Sequence, residues 1–142
     1  MTTPYSVEFG FLPEHRETPL VARSGDGLAA VVDYLIQAAD TTRNFASIFV
    51  IGSDGVHVAN VGVGVDLNTG LGTLVVWGRG GQFCSSGGSL DDSVVYYCEV
   101  SHARRFPAKS RVAPEILRKG LKAIYSDPEN LPAELLWMPW DE

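Results

Sequence analysis

The chain has 142 residues, 45% of them hydrophobic and 20% charged, with a formal net charge of −6. That length suits one domain with its own core, 1–142, and the apolar fraction excludes a disordered chain. The longest apolar runs, four or five residues, fall far short of the ~20 that a membrane-spanning helix needs, and the acidity disfavours general binding to phosphate backbones.

Residues 1–25 read as an irregular segment, rich in proline, with room for one strand at Tyr5–Phe9. No basic cluster precedes an apolar stretch there, so no secretory signal is expected and the reading is a cytoplasmic protein. Ser24 or Asp26 caps a first helix over about 26–39, with Leu28, Val31, Val32, Leu35 and Ile36 on its buried face. Asp40-Thr41-Thr42 is its exit. Ala46–Ile51, apolar and rich in β-branched residues, predicts a central strand. The turn Ser53-Asp54-Gly55 leads to an alternating strand at Val56–Val63, and the turn Asp66–Gly70 to a strand at Thr73–Trp77. A short strand follows at Gln82–Ser85, and Ser93–Ser101 is the strongest strand candidate. Ser110 is placed as the cap of a second helix, with Pro114 in its first turn and Ser126-Asp127-Pro128 at its end. A last short strand falls at Leu135–Trp137. The class is α+β: an antiparallel β-meander packed with two main helices.

Charge and glycine are both uneven along this order. Residues 1–78 sum to −5, residues 79–122 to +4 and residues 123–142 to −5. Eleven of the 15 glycines lie between Gly52 and Gly88, which marks that stretch as turn-rich. Gly78-Arg79-Gly80-Gly81 lacks the following GK[ST] and helix of a phosphate-binding loop and reads as a tight turn.

Metal and nucleophile patterns are weak. Cys84 and Cys98 form neither a CxxC nor a disulfide framework, and they read as free core thiols on neighbouring strands. His57 reads as a strand histidine, and no metal or other cofactor is expected. Cys98, Glu99 and His102 lack the third group that would orient a nucleophile and its base. Neither the His-x-Glu nor the Pro-Cys-x-x-Cys of zinc deaminases occurs. No catalytic residue is assigned. Arg104-Arg105 and the basic face of the second helix read as solvated.

An ordered series of segments is similar to immunity-protein family one, bacterial antitoxins encoded beside polymorphic toxins, many of them deaminases. The series is Val63-Gly64-Val65-Asp66, Gly72–Trp77, Gly80–Gly87 with Gln82-Phe83-Cys84, Val95-Tyr96-Tyr97, Phe106–Val112, and the ending Asn130–Trp137. The similarity spans about residues 28–137. It departs at Ser126–Glu129, where a glycine-bearing turn would stand. It implies an α+β fold, no catalysis, and inhibition of a cognate toxin by covering its active site. A toxin that handles nucleic acid needs a basic groove, so opposite charge would speed the encounter. On that basis the expected partner is a basic, nucleic-acid-modifying protein toxin, with no direct nucleic acid and no membrane. The expected contact surface is Asp91, Asp92 and Glu99, with Tyr96 or Tyr97 and Phe83 as anchors. Asp54 and Asp66 are second choices. The alternatives are a non-catalytic ligand-binding or scaffold domain, and a hydrolase using Cys98 or His102.

Overall fold

The computed structural model describes residues 5–37, 43–78, 81–88, 90–100 and 102–140. The far end of the first helix with its exit at Asp40–Thr42, Arg79-Gly80 of the glycine turn, and Ser101 lie outside them.

The chain is α+β. In order come β1 (Tyr5–Gly10), β2 (Leu20–Ala22), α1 (Gly25–Ala29), α2 (Val31–Gln37), β3 (Arg43–Gly52), β4 (His57–Asp66), β5 (Leu71–Gly78), β6 (Gly81–Ser86), β7 (Val94–Glu99), β8 (His102–Pro107), α3 (Pro114–Ser126) and β9 (Leu136–Pro139). Seven strands pair in the order β2-β1-β3-β4-β5-β6-β9. From β3 to β6 the pairing is consecutive and antiparallel. There the succession stops. β7 returns to the N-terminal end of β3, meeting it at Asn44–Cys98 in parallel, and makes a hairpin with β8.

The helical signals translate directly. Ser24 is the cap of α1: its hydroxyl accepts the Gly27 N–H at 2.9 Å. Leu28, Val31, Val32 and Leu35 are fully buried, whereas Ile36, expected beside them, is 38% exposed. The expected single helix is broken at Ala30 into α1 and α2. Pro114 opens α3, where its missing N–H costs nothing. Ser110, expected as the cap, instead lies buried in a 3-10 turn at Ala108–Ser110, and the cap position is Ala113. Two ion pairs tie α3 to the first helical segment, Arg118–Asp33 at 2.6 Å and Lys122–Asp26 at 2.8 Å.

Each face of the sheet carries a core. On the helical face Ile48, Val50, Val61, Val63 and Leu74 pack with Leu28, Leu35, Leu117 and Leu121. On the other face Phe45, Val75 and Cys84 pack with Val95, Tyr97 and Phe106 of the β7–β8 hairpin. Strand alternation in β4 explains how both fit. Val61, Val63 and Val65 point to the helices, so Gly62 and Gly64 point the other way. A Cβ on Gly62 would collide with Phe45 Cζ, and one on Gly64 would lie 2.6 Å from Tyr97 Cγ. Gly64, of the resemblance motif, and Gly62 before it thus leave space for two rings. Gly64→Ala is expected to cost about 1–3 kcal/mol by overpacking. In urea unfolding it should lower the midpoint at unchanged slope. A variant as stable as the parent would show that the hairpin does not seat here.

Two strands were not expected. β2 lies in the irregular N-terminal segment, paired with β1. β8, His-Ala-Arg-Arg-Phe-Pro, has no apolar alternation, and the backbone pairing with β7 makes it a strand. β7 itself stops at Glu99 because Val100 takes the left-handed conformation, φ +59°. Among the described residues, no helix is long and apolar enough to cross a membrane.

Candidate functional site

The hairpin β7–β8 sorts its side chains by parity. Val95 and Tyr97 turn inward and are buried; Val94 and Tyr96 turn outward and are 44% and 49% exposed. Leu90, in the loop before β7, is 95% exposed. Arg105 stands opposite Tyr96 in the register, so the two share the outer face. Its guanidinium lies 5.7 Å from the centre of the Trp140 ring, and the Trp140 indole N–H donates to the Arg105 carbonyl at 3.0 Å. The outer face therefore presents Val94, Tyr96 and Arg105, with Trp140 against Arg105. Tyr, Trp and Arg are the types that dominate the energetics of protein interfaces.

Beside this face lie Asp91 and Asp92, both exposed. Asp91 is held in place: its Oδ1 accepts the Ser93 N–H at 2.9 Å, and its Oδ2 is 3.8 Å from Arg111 Nη2. Hydrogen bonds from Ser93, with a smaller contribution from Arg111, hold its carboxyl below the usual range. It stays ionised at neutral pH, as a steering charge must.

The remaining expected contacts separate. Tyr97 is 1% exposed and belongs to the core, so Tyr96 is the outward member of the pair. Asp66 is fully buried and organises its turn: it accepts Arg43 Nε–H at 3.3 Å and the Asn68 N–H at 2.9 Å. Neither can present its side chain to a partner, because neither reaches the surface. Glu99 shares the inward parity of Val95 and Tyr97, and its carboxylate is turned to Ser47 and Arg104, away from the face that carries Tyr96. Asp54 and Phe83 lie elsewhere, on the wall of a bowl between the β3–β4 turn and residues 128–131. Of the eight expected residues, Tyr96 is exposed on the outer face of the hairpin, and Asp91 and Asp92 are exposed in the loop that leads into β7.

Glu99 marks a second feature. β1 covers the edge of β3 from Ser47 to Gly52, and β7 takes over at Asn44. The fork between them opens as a cleft of about 370 Å³, lined in part by Glu8, His15, Ser47, Phe49 and Glu99. Glu99 accepts from the Ser47 hydroxyl and from Arg104 at 2.6 Å. Arg104, expected in solvent, lays its guanidinium over Phe45 at 4.7 Å and Trp77 at 5.2 Å. The aromatic floor draws the stem inward, and Glu99 balances the charge. His15 Nδ1 accepts the N–H groups of Phe11 and Leu12, both at 3.1 Å, which places the ring proton of the neutral form on Nε2.

Leu90, and the pairing of Arg105 with Trp140, escaped the sequence reading. Leu90 and Val94 carry a faint signal, since Val94 shares the parity of Tyr96. The Arg105–Trp140 contact spans 35 positions and leaves no local pattern. Both cysteines are free thiols, on strands that do not pair with each other. Burial pushes the Cys84 thiol up to about 12, so it is not a thiolate at neutral pH. Among the described residues, no group of three His, Cys, Asp or Glu is placed to hold a metal. Comparison with protein-family models and with curated proteins returns no significant match.

Proposed function

We propose that this chain is a cytoplasmic immunity protein that binds and neutralises a basic, nucleic-acid-directed toxin, a deaminase by the resemblance set out above, by covering the toxin's active site. One observation carries the reading: the outer face of β7–β8 exposes Val94 and Tyr96 beside the Arg105–Trp140 contact, and the loop that leads into β7 exposes Leu90, Asp91 and Asp92. Apolar and aromatic groups left in water gain when a partner covers them. Two carboxylates beside them attract a basic groove and raise the association rate.

The test is co-expression with the candidate toxin from the adjacent gene, followed by co-purification and affinity measurement. Survival with a stable complex is expected. Survival without a complex would favour a scaffold or indirect role. Tyr96→Ala should cost about 2 kcal/mol or more in binding, and Trp140→Ala a similar amount. Tyr96→Ala should leave folding nearly unchanged, because its ring is half exposed. Both variants within about 0.5 kcal/mol of the parent would move the interface off this face. Asp91→Asn with Asp92→Asn should slow association at low salt and lose that effect at high salt.

A further inference from the structure

The cleft in the fork between β1 and β7 has a floor that strand register defines. Glu8 pairs with Phe49 across β1 and β3, and Gly10 pairs with Ser47, so all four positions share one face of the sheet. A Cβ on Gly10 would rise from that face and lie 2.6 Å from His15 Cβ, so the His15 side chain stands over the same floor. Glu99 reaches it from β7, where it accepts from the Ser47 hydroxyl. The volume, about 370 Å³, is at the small end of the range for small-molecule sites.

The polar groups of the cleft differ in what they have left to offer a ligand. Glu99 is committed to Ser47 and Arg104, and Ser47 has spent its proton on Glu99. His15 Nδ1 is committed to the Phe11 and Leu12 N–H groups, so the neutral ring keeps one free donor, at Nε2. Two charges remain. Glu8 stands half-buried beside Phe49, and Arg16 is exposed on the 3-10 turn Pro13–Arg16. Both line the cleft, and neither forms an ion pair among the described residues. The Phe49 ring is 38% exposed. Between Val100 and His102, which also line the cleft, the sequence adds only an uncharged serine.

We infer that this cleft binds a free α-amino acid with an apolar or aromatic side chain. The ammonium group is taken by the Glu8 carboxylate beside the face of Phe49, a carboxylate and a ring that both attract a cation. The carboxylate group is taken by the Arg16 guanidinium and the His15 Nε2–H. The apolar side chain rests on Leu12 and Pro19, which line the same cleft. Three features together select this ligand. The free acid selects an ammonium, the free guanidinium with its neighbouring N–H donor selects a carboxylate, and the small apolar volume selects a molecule that carries both on one short frame. Glu99 and Tyr96 point to opposite faces of β7, so the site is separate from the outer face of the hairpin and stands whatever the fate of the toxin reading.

The experiment is NMR titration of the full chain, labelled with nitrogen-15, at neutral pH. The probes are phenylalanine, leucine, phenylalaninamide, which keeps only the ammonium charge, and N-acetylphenylalanine, which keeps only the carboxylate. Phenylalanine or leucine should shift the amide signals of Gly10, His15 and Phe49 at millimolar concentration. Each blocked form should bind about tenfold more weakly than phenylalanine. Glu8→Gln should weaken phenylalanine by about tenfold and leave N-acetylphenylalanine unchanged. Arg16→Gln should weaken phenylalanine by about tenfold and leave phenylalaninamide unchanged. Neither side chain belongs to the two cores, so both variants should keep the spectrum of the folded parent. No shift with either free amino acid overturns the inference, and so does phenylalanine binding to both variants as tightly as to the parent. Phenylalaninamide or N-acetylphenylalanine binding as tightly as phenylalanine overturns it too, in favour of a site for one end of a peptide.

Discussion

Tyr97→Ala is expected to cost about 3–5 kcal/mol, a large share of the 5–15 kcal/mol that stabilises a domain of this kind. The ring is 1% exposed, with its centre 6.3 Å from that of Phe45 and 6.0 Å from that of Phe106. It rests on Gly64, so truncation leaves a cavity that no neighbouring side chain on β4 can fill. The hydroxyl adds a directional chain. Ser110 spends its one proton on the Pro107 carbonyl at 2.6 Å. Thr73, 2.7 Å from Ser110 Oγ, must then donate to it, and Tyr97, 2.8 Å from Thr73 Oγ1, must donate in turn. Tyr97→Phe removes the first link and keeps the ring, so about 1–2 kcal/mol is expected. Urea unfolding of the full chain measures both. A loss below about 1 kcal/mol for Tyr97→Ala would show that the hairpin is not seated on the sheet through this ring.

The same core predicts weakness in alkali. Burial pushes the Tyr97 phenol up to about 12 from 10.0, and the Cys84 thiol up to about 12 from 9.0. The folded chain keeps both protons where the unfolded chain has released them. Stability bound to these groups is therefore whole below pH 9 and is lost as pH rises toward 12. The slope is about 1.4 kcal/mol per unit from pH 9 to 10 and about 2 kcal/mol per unit from pH 10 to 11. From pH 9 to 11 these two groups remove roughly 4 kcal/mol. Urea titrations at pH 8, 9.5 and 11 give the slope. Tyr97→Phe combined with Cys84→Ala should flatten it, whatever it costs in absolute stability. An unchanged slope in the double variant would assign the loss to other groups.

Periodicity made much of the architecture legible. The i, i+3, i+4 spacing from Leu28 to Leu35 placed the first helical segment, and Ser24 its start. Pro114 and Pro128 bracket α3, since one suits a first turn and the other cannot continue a helix. Alternation and turn residues separated β3 to β6. The signal failed where the neighbours were distant. β8 is a strand because β7 lies beside it, and its arginines are drawn onto Phe45, Trp77 and Trp140 from far along the chain. Ser110 resembles a cap, yet it is buried to close a hydroxyl chain with Thr73, 37 positions away.

The candidate sites divide in the same way. Residue chemistry singled out Asp91, Asp92 and the Tyr96–Tyr97 pair, and strand alternation required one tyrosine to face inward. Neither could say which, because parity alone is symmetric; the side on which the hairpin meets the sheet decides it. The clustering of glycine in 52–88 announced turns, and two of its members, Gly62 and Gly64, serve to admit rings rather than to bend the chain. Local spacing thus determined the elements and the composition of the surface. Only the tertiary structure decided that Asp66 is buried, that Arg104 lies on aromatic rings, and that Glu99 turns inward to Ser47 and Arg104. Each of these depends on contacts between residues far apart in the chain, and burial and pairing energy follow position in space, of which sequence separation keeps no record.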